Sequence, residues 1–450
     1  MTLLLVPHEA RATSATLWIG AIDEPTVSPA DLRLVEPTGA VAPRVVVAWD
    51  GNVAGRDRRV AYKRVVVDKL TPGRPYRFEL RQGGRVRSKA TVTTLPGELP
   101  HVGDRPFTIL LGSCFARKND GAGEVGRAYS LLPSDARPHV KVLCGDQVYL
   151  DTFGFQTLFS RTDAPSLTDR FIGTYATAWA QEPGFRQLLA DGANLFSSDD
   201  HDYWNNAPNP SPTAPQTYLP GVAKRWWAVA LNLYEVFQRR LDPRDRTFDI
   251  GSLSIHVADS RLERTTGTSA FMSDGALIEI ERWASSLHGP GCLVLGQLPF
   301  AMPAGPGPVV FDWGLPDFRD QYERLVRAVR HPAHSIVVLT GDVHFGRVAV
   351  CATPTGAEIV EVVASPLTLI FPLPMNTWKE APLAFPAEAI PGMSSLHPWT
   401  DRSYNLNADH FTTVSFARSG RFVLMRVLAW PIHTQGLPLR PALSFERWLS

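Results

Sequence analysis

The sequence predicts an all-β sandwich at the N-terminus, followed by a larger α/β layered domain. Residues 1–98 contain short alternating or β-branched runs that are separated by turn residues, and they show no convincing helical period. From residue 105 onward, helical patterns alternate with apolar strand-like runs, as in α/β domains. The chain has 450 residues, which is enough for two or three domains.

The N-terminal region carries one local motif that sharpens its prediction. The stretch "LTPGRPYRFEL" spaces Leu70, Pro72 and Tyr76 as in the tyrosine corner of fibronectin type III and immunoglobulin-like domains. This resemblance implies a fibronectin III-like domain over residues 1–98, which ends in the Pro- and Gly-rich stretch "TVTTLPGELPHVGDRP". The alternative is that Tyr76 is only a core residue.

The second region is predicted to contain amphipathic helices between its strands. Apolar residues recur at helical spacing in residues 166–181, 221–241, 276–288 and 316–330. A Ser or Thr near residue 166 is a candidate N-cap for the first of these helices.

Six apolar, strand-like runs of this region end in polar residues that are mostly able to bind ligands. They are "FTILLGSC" (107–114), "VKVLCGDQVY" (140–149), "ANLFSSDDHDYWNN" (193–206), "LSIHVADSR" (253–261), "CLVLGQ" (292–297) and "SIVVLTGDVH" (335–344). In open α/β folds the loops after the strands converge on one crevice. A carboxylate inside a strand would be too costly to desolvate, whereas one just past its end is held rigidly and stays reachable. The six endings therefore predict one shared site.

The residue types at these endings predict metal ions of two kinds. The set comprises Asp146, Asp200, Asp342, His201, His344, Asn205, Asn206, Tyr149 and Cys114. Oxygen donors dominate, so this is not the Cys/His set of a structural zinc site. Trivalent iron would favour the phenolate and the thiolate, and a divalent ion such as Ca²⁺, Mg²⁺ or Mn²⁺ would take the oxygens. Two metals that share a carboxylate at ~3.5–4 Å are the usual design for phosphoryl transfer to water.

The ordered motifs "GSC", "GDQVY", "DDHDYWNN", "DSR", "GQLPF" and "TGDVHFG" resemble those of the PhoD-like alkaline phosphatases, in the calcineurin-like metallophosphoesterase superfamily. The resemblance covers about residues 5–430. It implies a fibronectin III-like domain at 1–98 and a two-sheet αββα sandwich, the metallophosphoesterase domain, at 105–450. It also implies hydrolysis of phosphomonoesters or phosphodiesters by a metal-activated hydroxide at a binuclear or multinuclear site.

The same resemblance implies a role for each candidate residue. Cys114 and Tyr149 would bind iron, Asp146 would bridge the metals, and Asp342 and His344 would be ligands from the last motif. The implied cofactors are Fe³⁺ with one or more divalent ions, Ca²⁺ first and Mn²⁺, Mg²⁺ or Zn²⁺ as alternatives.

The remaining roles concern the middle motifs. Asp200 and His201 stand where the wider superfamily has Asn-His, so Asp200 would bind metal and His201 would protonate the leaving group. Asn205 or Asn206 would supply an amide ligand, and both stay candidates. Arg261 would steady the phosphate through a bidentate pair. The chain departs from the wider superfamily at Cys114, because that position belongs to an Asp-x-His motif elsewhere.

Composition limits the expected partners. The net charge of +1 gives no electrostatic reason to expect nucleic acid or an anionic membrane. The partner that the resemblance implies is a small phosphate ester. The first residues lack a signal peptide or a twin-arginine motif, and no stretch approaches the ~20 apolar residues of a membrane span. These features predict a cytoplasmic protein, with a secreted protein as the alternative if an export signal was trimmed, and leave the oligomeric state open.

Two other functions remain open. One is a catalytically inactive binding protein of the same fold, which uses the fibronectin-like domain for contact with a partner. The other is a thiol hydrolase built on Cys114, which chelators would leave active. The proline-rich segment 205–221 is interpreted either as a lid or as a plain surface loop. Cys144, Cys292, Cys351 and His256 are predicted to be core residues.

Overall fold

The computed structural model describes residues 2–24, 30–36, 45–47, 49–152, 162–238, 246–304, 312–330, 333–368, 380–433 and 439–450. These residues form four β-sheets and six α-helices. None of the described helices is long and apolar enough to cross a membrane.

The N-terminal residues form two antiparallel sheets of four strands each. The first sheet contains β1 (Thr2–Ala10), β2 (Ser14–Ile22), β5 (Gly51–Ala54) and β6 (Arg59–Asp68), in the order β1-β2-β6-β5. The second contains β3 (Ala30–Glu36), β4 (Val45–Val47), β7 (Pro75–Gln82) and β8 (Arg85–Thr93), in the order β4-β3-β7-β8. The Tyr76 hydroxyl accepts a hydrogen bond from the Thr71 backbone amide at 2.7 Å, which is the contact expected of a tyrosine corner. The fibronectin III-like class of this region stays a prediction.

The second region is built on two mixed sheets. The six-stranded sheet contains β9 (Phe107–Gly112), β10 (Val140–Cys144), β11 (Ala193–Ser197), β19 (His410–Ser419), β20 (Phe422–Pro431) and β21 (Leu443–Leu449), in the order β11-β10-β9-β19-β20-β21. The seven-stranded sheet contains β12 (Thr247–Ile250), β13 (Leu253–Val257), β14 (Gly291–Gly296), β15 (Ile336–Thr340), β16 (Gly346–Ala352), β17 (Glu358–Val363) and β18 (Trp399–Leu406), in the order β12-β13-β14-β15-β17-β16-β18. The strands β9, β10 and β11 are parallel to one another, and so are β13, β14, β15 and β17.

Helices cover the outer face of each sheet. The helices α1 (Glu124–Ser130), α2 (Ala164–Trp179), α3 (Phe185–Ala190) and α4 (Pro220–Phe237) share an apolar cluster with Leu110 and Leu143 of the six-stranded sheet. The helices α5 (Asp274–Ser285) and α6 (Arg319–Val329) share another with Leu293 of the seven-stranded sheet. A third cluster joins the inner faces, for example Val142 and Val337. The order of layers is helix, sheet, sheet, helix, in line with the predicted αββα sandwich.

The helices begin slightly earlier than the periodicity predicts, except for the last. Asp163 caps α2, because its side chain accepts a hydrogen bond from the Ser166 amide at 3.1 Å, so the cap is not at residue 166 as expected. Ser273 caps α5 through the Ala276 amide in the same way. The end of the predicted helix 221–241 lies partly outside the described residues.

The N-terminal sheets pack closely on the second region. Trp18 of β2 is fully buried, and its ring lies 5.7 Å from that of Trp179 in α2 and 5.3 Å from that of Phe237 in α4. Intramolecular domains usually move relative to each other unless their interface is large and apolar. The boundary predicted between residues 98 and 105 stays a prediction, but this contact indicates that the two parts support each other.

We expect Trp18→Ala to lower the free energy of unfolding by about 3–5 kcal/mol, the usual cost of truncating a buried Trp. Denaturant unfolding with far-UV circular dichroism measures this cost. Trp448→Ala is the matched control, because Trp448 is 52% exposed and should change stability little. A loss below about 1 kcal/mol at Trp18 would mean that the junction contributes little to stability.

Candidate metal centre

The predicted ligands converge beyond the carboxyl ends of the parallel strands. Cys114 follows β9, Asp146 follows β10, Asp200 follows β11 and Asp342 follows β15. Potential ligand atoms of Asp146, Asp200 and His201 all lie within 4.8 Å of one another, and so do those of Asp199, Asp200 and Asp342. Asp200 belongs to both groups, so the two sheets bring their strand ends to one acidic centre.

The backbone of this centre is strained. Among the described residues, seven that are not glycine have a positive φ, and five of these are predicted ligands. They are Cys114 (58°), Asp146 (55°), Asn206 (64°), Asp342 (70°) and His344 (52°). Such conformations cost on the order of 1–3 kcal/mol each and persist only where the surrounding structure imposes them, typically at functional sites. The strain therefore marks the same residues that the sequence singles out.

Asp146 lies at the middle of the centre. Its Oδ1 accepts a hydrogen bond from the His201 backbone amide at 3.1 Å. Its Oδ2 lies 3.3 Å from the Tyr149 hydroxyl and 3.6 Å from the Cys114 thiol, and both of these groups donate to it. A carboxylate, a phenol and a thiol thus meet at one point, and their roles as metal ligands stay a prediction.

The electrostatics of the centre favour the binding of a cation. Burial raises the pKa of the Cys114 thiol, the Tyr149 phenol and the carboxyls of Asp146 and Asp342, and neighbouring acidic groups raise them further. Each of these shifts favours the protonated form of the group over the ionised form. A multivalent cation would compensate the clustered negative charge and favour their ionised forms. The donor set present therefore fits a metal centre.

His344 provides a second observation in favour of a metal site. Its Nδ1 atom is buried and has no hydrogen-bond partner among the described residues. Burial lowers the pKa of His344 to about 4, so the imidazole is neutral at physiological pH. Neutral imidazole is the form that binds metal.

A cavity of about 170 Å³ opens beside these residues. Seven predicted site residues line it: Asp146, Asp200, His201, Asn205, Asn206, Asp342 and His344. Cys114 and Tyr149 lie behind Asp146 and do not line it, although the hydrogen bonds above bring them to the centre.

The two asparagines differ in how they are held. The Asn205 side-chain amide donates to the Ser211 hydroxyl at 3.0 Å, within the segment 205–221. Asn206 has a positive φ, and its backbone N–H donates to Asp200 Oδ2 at 2.6 Å. Both line the cavity, and the choice of amide ligand stays a prediction.

The position of Arg261 differs from the position expected of a residue that binds phosphate. Its side chain is fully buried, and each of its three nitrogens donates to a protein acceptor. The acceptors are Asp199 (Nε at 2.8 Å and Nη2 at 2.6 Å), the Ala207 carbonyl (Nη1 at 2.6 Å) and Asp312. Arg261 is not among the described residues that line the cavity. Its catalytic role stays a prediction, and its contacts are those of a residue that positions Asp199 and the loop around Asp312.

Asp151 is a site residue that the sequence reasoning missed. Both its carboxylate oxygens lie 2.9 Å from Nδ1 of His201, and one also accepts a hydrogen bond from the Asn205 amide at 2.8 Å. It follows Tyr149 by two positions, and this spacing is no known signal. Only tertiary structure shows that it orients His201.

Other missed residues hold the ligand loops in place. Asp202 accepts hydrogen bonds from the amides of Asp146 and Asp199 at 3.0 Å each. The Ser365 hydroxyl lies 3.2 Å from the Cys114 sulfur and accepts a hydrogen bond from the His344 amide at 3.0 Å. Ser365 lies just past β17, outside the six motifs on which the site prediction rests.

The other residues considered include four predicted core residues and one loop. Cys144, Cys292 and Cys351 are buried and free, as predicted, and His256 is buried with Nδ1 2.8 Å from the Thr247 hydroxyl. The segment 205–221 is folded on itself, since the Ser211 amide donates to the Thr217 hydroxyl at 2.9 Å. Whether this segment is a lid stays untested.

Fold and site together define a protein with two packed mixed sheets, outer helices and an acidic centre able to hold metal. More particularly, the chain is similar to the solved structure of PhoD, with a TM-score of 0.67, 14% identity, and coverage of 98% of this chain and 89% of that one. The resemblance to PhoD is thus confirmed for the fold. A glycosyl hydrolase family 2 member from Bacteroides cellulosilyticus DSM 14838 aligns with 95% of this chain and 67% of its own, at 8% identity and a TM-score of 0.25, which is too low to support an argument. No family model matches the chain, and no curated protein matches it.

Proposed function

We propose that this protein is a metal-dependent hydrolase of phosphate esters, either monoesters or diesters. The observation that carries the proposal is the meeting of strained, buried ligand-type residues at one cavity of a PhoD-like fold. Residues 105–450 would form the catalytic domain, and residues 1–98 would form a fibronectin III-like domain packed on it.

The proposed cofactors are Fe³⁺ and one or more divalent ions, with Ca²⁺ first. Cys114, Tyr149 and Asp146 would hold the iron, because the thiol and the phenol both lie against one oxygen of Asp146. Asp200, Asp342, His344 and an asparagine amide would hold the divalent ion, with Asp146 shared. When bound, the metal ions would polarise the phosphoryl oxygens and lower the pKa of the attacking water.

The chain's own residues would supply the proton for the leaving group. Asp151 contacts Nδ1 of His201. The His201 ring lines the cavity, and its Nε2 has no hydrogen-bond partner among the described residues. Burial acts to lower the pKa of His201, but the carboxylates of Asp151, Asp200 and Asp146 more than offset this and hold it above its usual range. His201 would therefore donate a proton to the departing alkoxide.

The test combines metal analysis with an activity assay on the same purified sample. We expect bound iron and a divalent metal, and hydrolysis of p-nitrophenyl phosphate or bis-p-nitrophenyl phosphate that a chelator abolishes. Activity that survives removal of all metal would contradict the proposal and favour a thiol hydrolase. A protein that keeps its metals and hydrolyses no ester would favour the inactive binding protein.

The iron assignment predicts a coloured protein. A phenol loses its proton reluctantly to Ca²⁺ or Mg²⁺, whereas Fe³⁺ is a strong enough Lewis acid to hold phenolate and thiolate together. Either anion bound to Fe³⁺ should give charge-transfer absorption in the visible range. We expect this band to shift or fade in Tyr149→Phe and to change in Cys114→Ser, as measured by absorption spectroscopy.

The control for these spectra is Cys351→Ser, which removes a buried thiol outside the centre and should leave the band unchanged. A colourless, fully active protein that contains only zinc or manganese would refute the iron assignment. The phosphoesterase proposal would survive, with Tyr149 as a hydrogen-bond donor to Asp146.

A further inference from the structure

The cavity beside the metal centre has two unlike walls. By residue type, the lining divides into the acidic and imidazole side chains described above, here called the acidic wall, and four apolar residues, here called the apolar wall: Leu298, Ala301, Val343 and Trp313. The two meet in the chain, because Val343 lies between Asp342 and His344. Leu298 and Ala301 are buried, whereas Val343 and Trp313 are half-buried and offer apolar surface to the cavity. The proposed chemistry uses none of these residues.

The apolar wall has no unpaired charge among its described residues. No Lys or Arg is among the described residues that line the cavity. The carboxylate on this side, Asp312, pairs with the buried guanidinium groups of Arg261 and Arg264, the latter at 2.8 Å. Gln297 is engaged as well, because its oxygen accepts from Arg264 and its Nε2 lies 3.4 Å from Asp312. A second anionic group or a polyol on the substrate would therefore find few partners here.

Trp313 is held in place by the same buried arginines. Its backbone N–H donates to Asp312 Oδ1 at 2.9 Å, and its carbonyl accepts from Arg264 Nη1 at 3.3 Å. Since Arg261 also binds Asp199 in the acidic centre, one ion-pair network fixes both Trp313 and the metal-site loop. These contacts fix the backbone at Trp313, and its side chain packs against the apolar cluster of α5 and α6.

The cavity volume limits the size of that ring. An apolar cavity of about 150 Å³ can enclose one benzene molecule. The 170 Å³ beside the centre is only slightly larger, so one small ring would nearly fill it.

We infer, on the basis of the proposed function, that the substrates are phosphate esters of small, uncharged aromatic alcohols, and that Trp313 determines this specificity. The phosphoryl group faces the acidic wall, and the aromatic group of the alcohol stacks on Trp313. The offset stacking of two aromatic rings, which an aliphatic ring cannot match, is the source of the selectivity.

The test compares benzyl phosphate with cyclohexylmethyl phosphate, whose leaving alcohols have similar acidity, so that recognition and leaving-group reactivity are separated. If the enzyme proves to be a diesterase, the methyl esters of both replace them. We expect wild-type kcat/KM to favour the benzyl ester by roughly 3- to 10-fold, as aromatic stacking implies. Trp313→Ala should remove this preference mainly by raising KM for the benzyl ester, and Trp313→Phe should restore it.

A second measurement does not depend on turnover. Benzylphosphonate, which cannot be hydrolysed, should bind the wild-type protein more tightly than cyclohexylmethylphosphonate in calorimetry, and Trp313→Ala should abolish the difference. Trp448→Ala is the matched control, because Trp448 is an exposed Trp outside the cavity lining and should change neither readout.

The outcomes separate this inference from the proposed function. Equal rates on both esters in the wild type, or an equal loss on both in Trp313→Ala, would overturn the inference and leave the phosphoesterase proposal standing. Selective benzylphosphonate binding that depends on Trp313, in a metal-loaded protein that hydrolyses no ester, would support the aromatic site and overturn the proposed function.

Discussion

Asp146→Asn is expected to abolish phosphate-ester hydrolysis and to lower the bound metal, while the protein stays folded. Asp146 is the only described side chain that contacts the Tyr149 hydroxyl, the Cys114 thiol and the His201 amide together. An asparagine can still accept one of these hydrogen bonds, but it cannot supply the negative charge shared by two cations. Substitutions of outer-shell residues typically lower metal affinity 10- to 100-fold, so we expect a loss of more than ~100-fold here.

The effect of the same substitution on the unfolding temperature should depend on whether metal is bound. Burial raises the pKa of the Asp146 carboxyl, which means that its ionised form is costly in the metal-free protein, and a neutral asparagine avoids that cost. Metal-free Asp146→Asn should therefore unfold at or above the temperature of the metal-free wild type. Bound metal stabilises the wild type by mass action, and the variant should lose most of that gain.

Calorimetric unfolding with and without added metal, together with metal analysis, measures these effects. Asp135→Asn is the matched control, because Asp135 is exposed and outside the cavity lining of the centre. Retained activity in Asp146→Asn would exclude a bridging role. A variant that unfolds at a lower temperature even without metal would show that Asp146 serves the fold instead.

The convergence of the candidate residues could be predicted from the strand ends, whereas the contacts that orient these residues could not. Asp342 and Asp200 follow apolar runs directly, so chain position alone places them at the crevice. Asp202 acts on Asp146, which lies 56 residues away, through a backbone hydrogen bond. Such a contact depends on how the turn after β11 packs beside β10, and no local pattern encodes that packing.

The burial of individual side chains also could not be predicted from the sequence. Arg261 follows a strand like the other candidates, and a free guanidinium there would suit a phosphate. In the structure it is fully buried between Asp199 and Asp312, and Asp312 lies outside the motifs on which the prediction rests. Trp18 illustrates the same limit at the junction, because an alternating strand pattern cannot reveal which face meets α2 and α4.

His201→Gln is expected to lower kcat by about 10²–10⁴, the usual contribution of a general acid, with little change in metal content. The loss should depend on the substrate, because a p-nitrophenolate leaves without a proton and an alkoxide does not. We therefore expect a small loss on p-nitrophenyl phosphate and a large one on benzyl phosphate. Asp151→Asn should show the same dependence more weakly, since it only orients the ring through Nδ1.

The competing role for His201 is that of a metal ligand, because its ring also lies near Asp146 and Asp200. A ligand and a proton donor differ in two observable ways. Loss of a ligand should lower bound metal and reduce rates on all esters equally, whereas loss of a proton donor should keep the metal and reduce rates mainly on poor leaving groups. His288→Gln, at an exposed histidine after α5, is the control for substitution alone. A His201→Gln variant that loses metal and is slowed equally on all esters would show that His201 binds metal. Water would then supply the proton for the departing alkoxide.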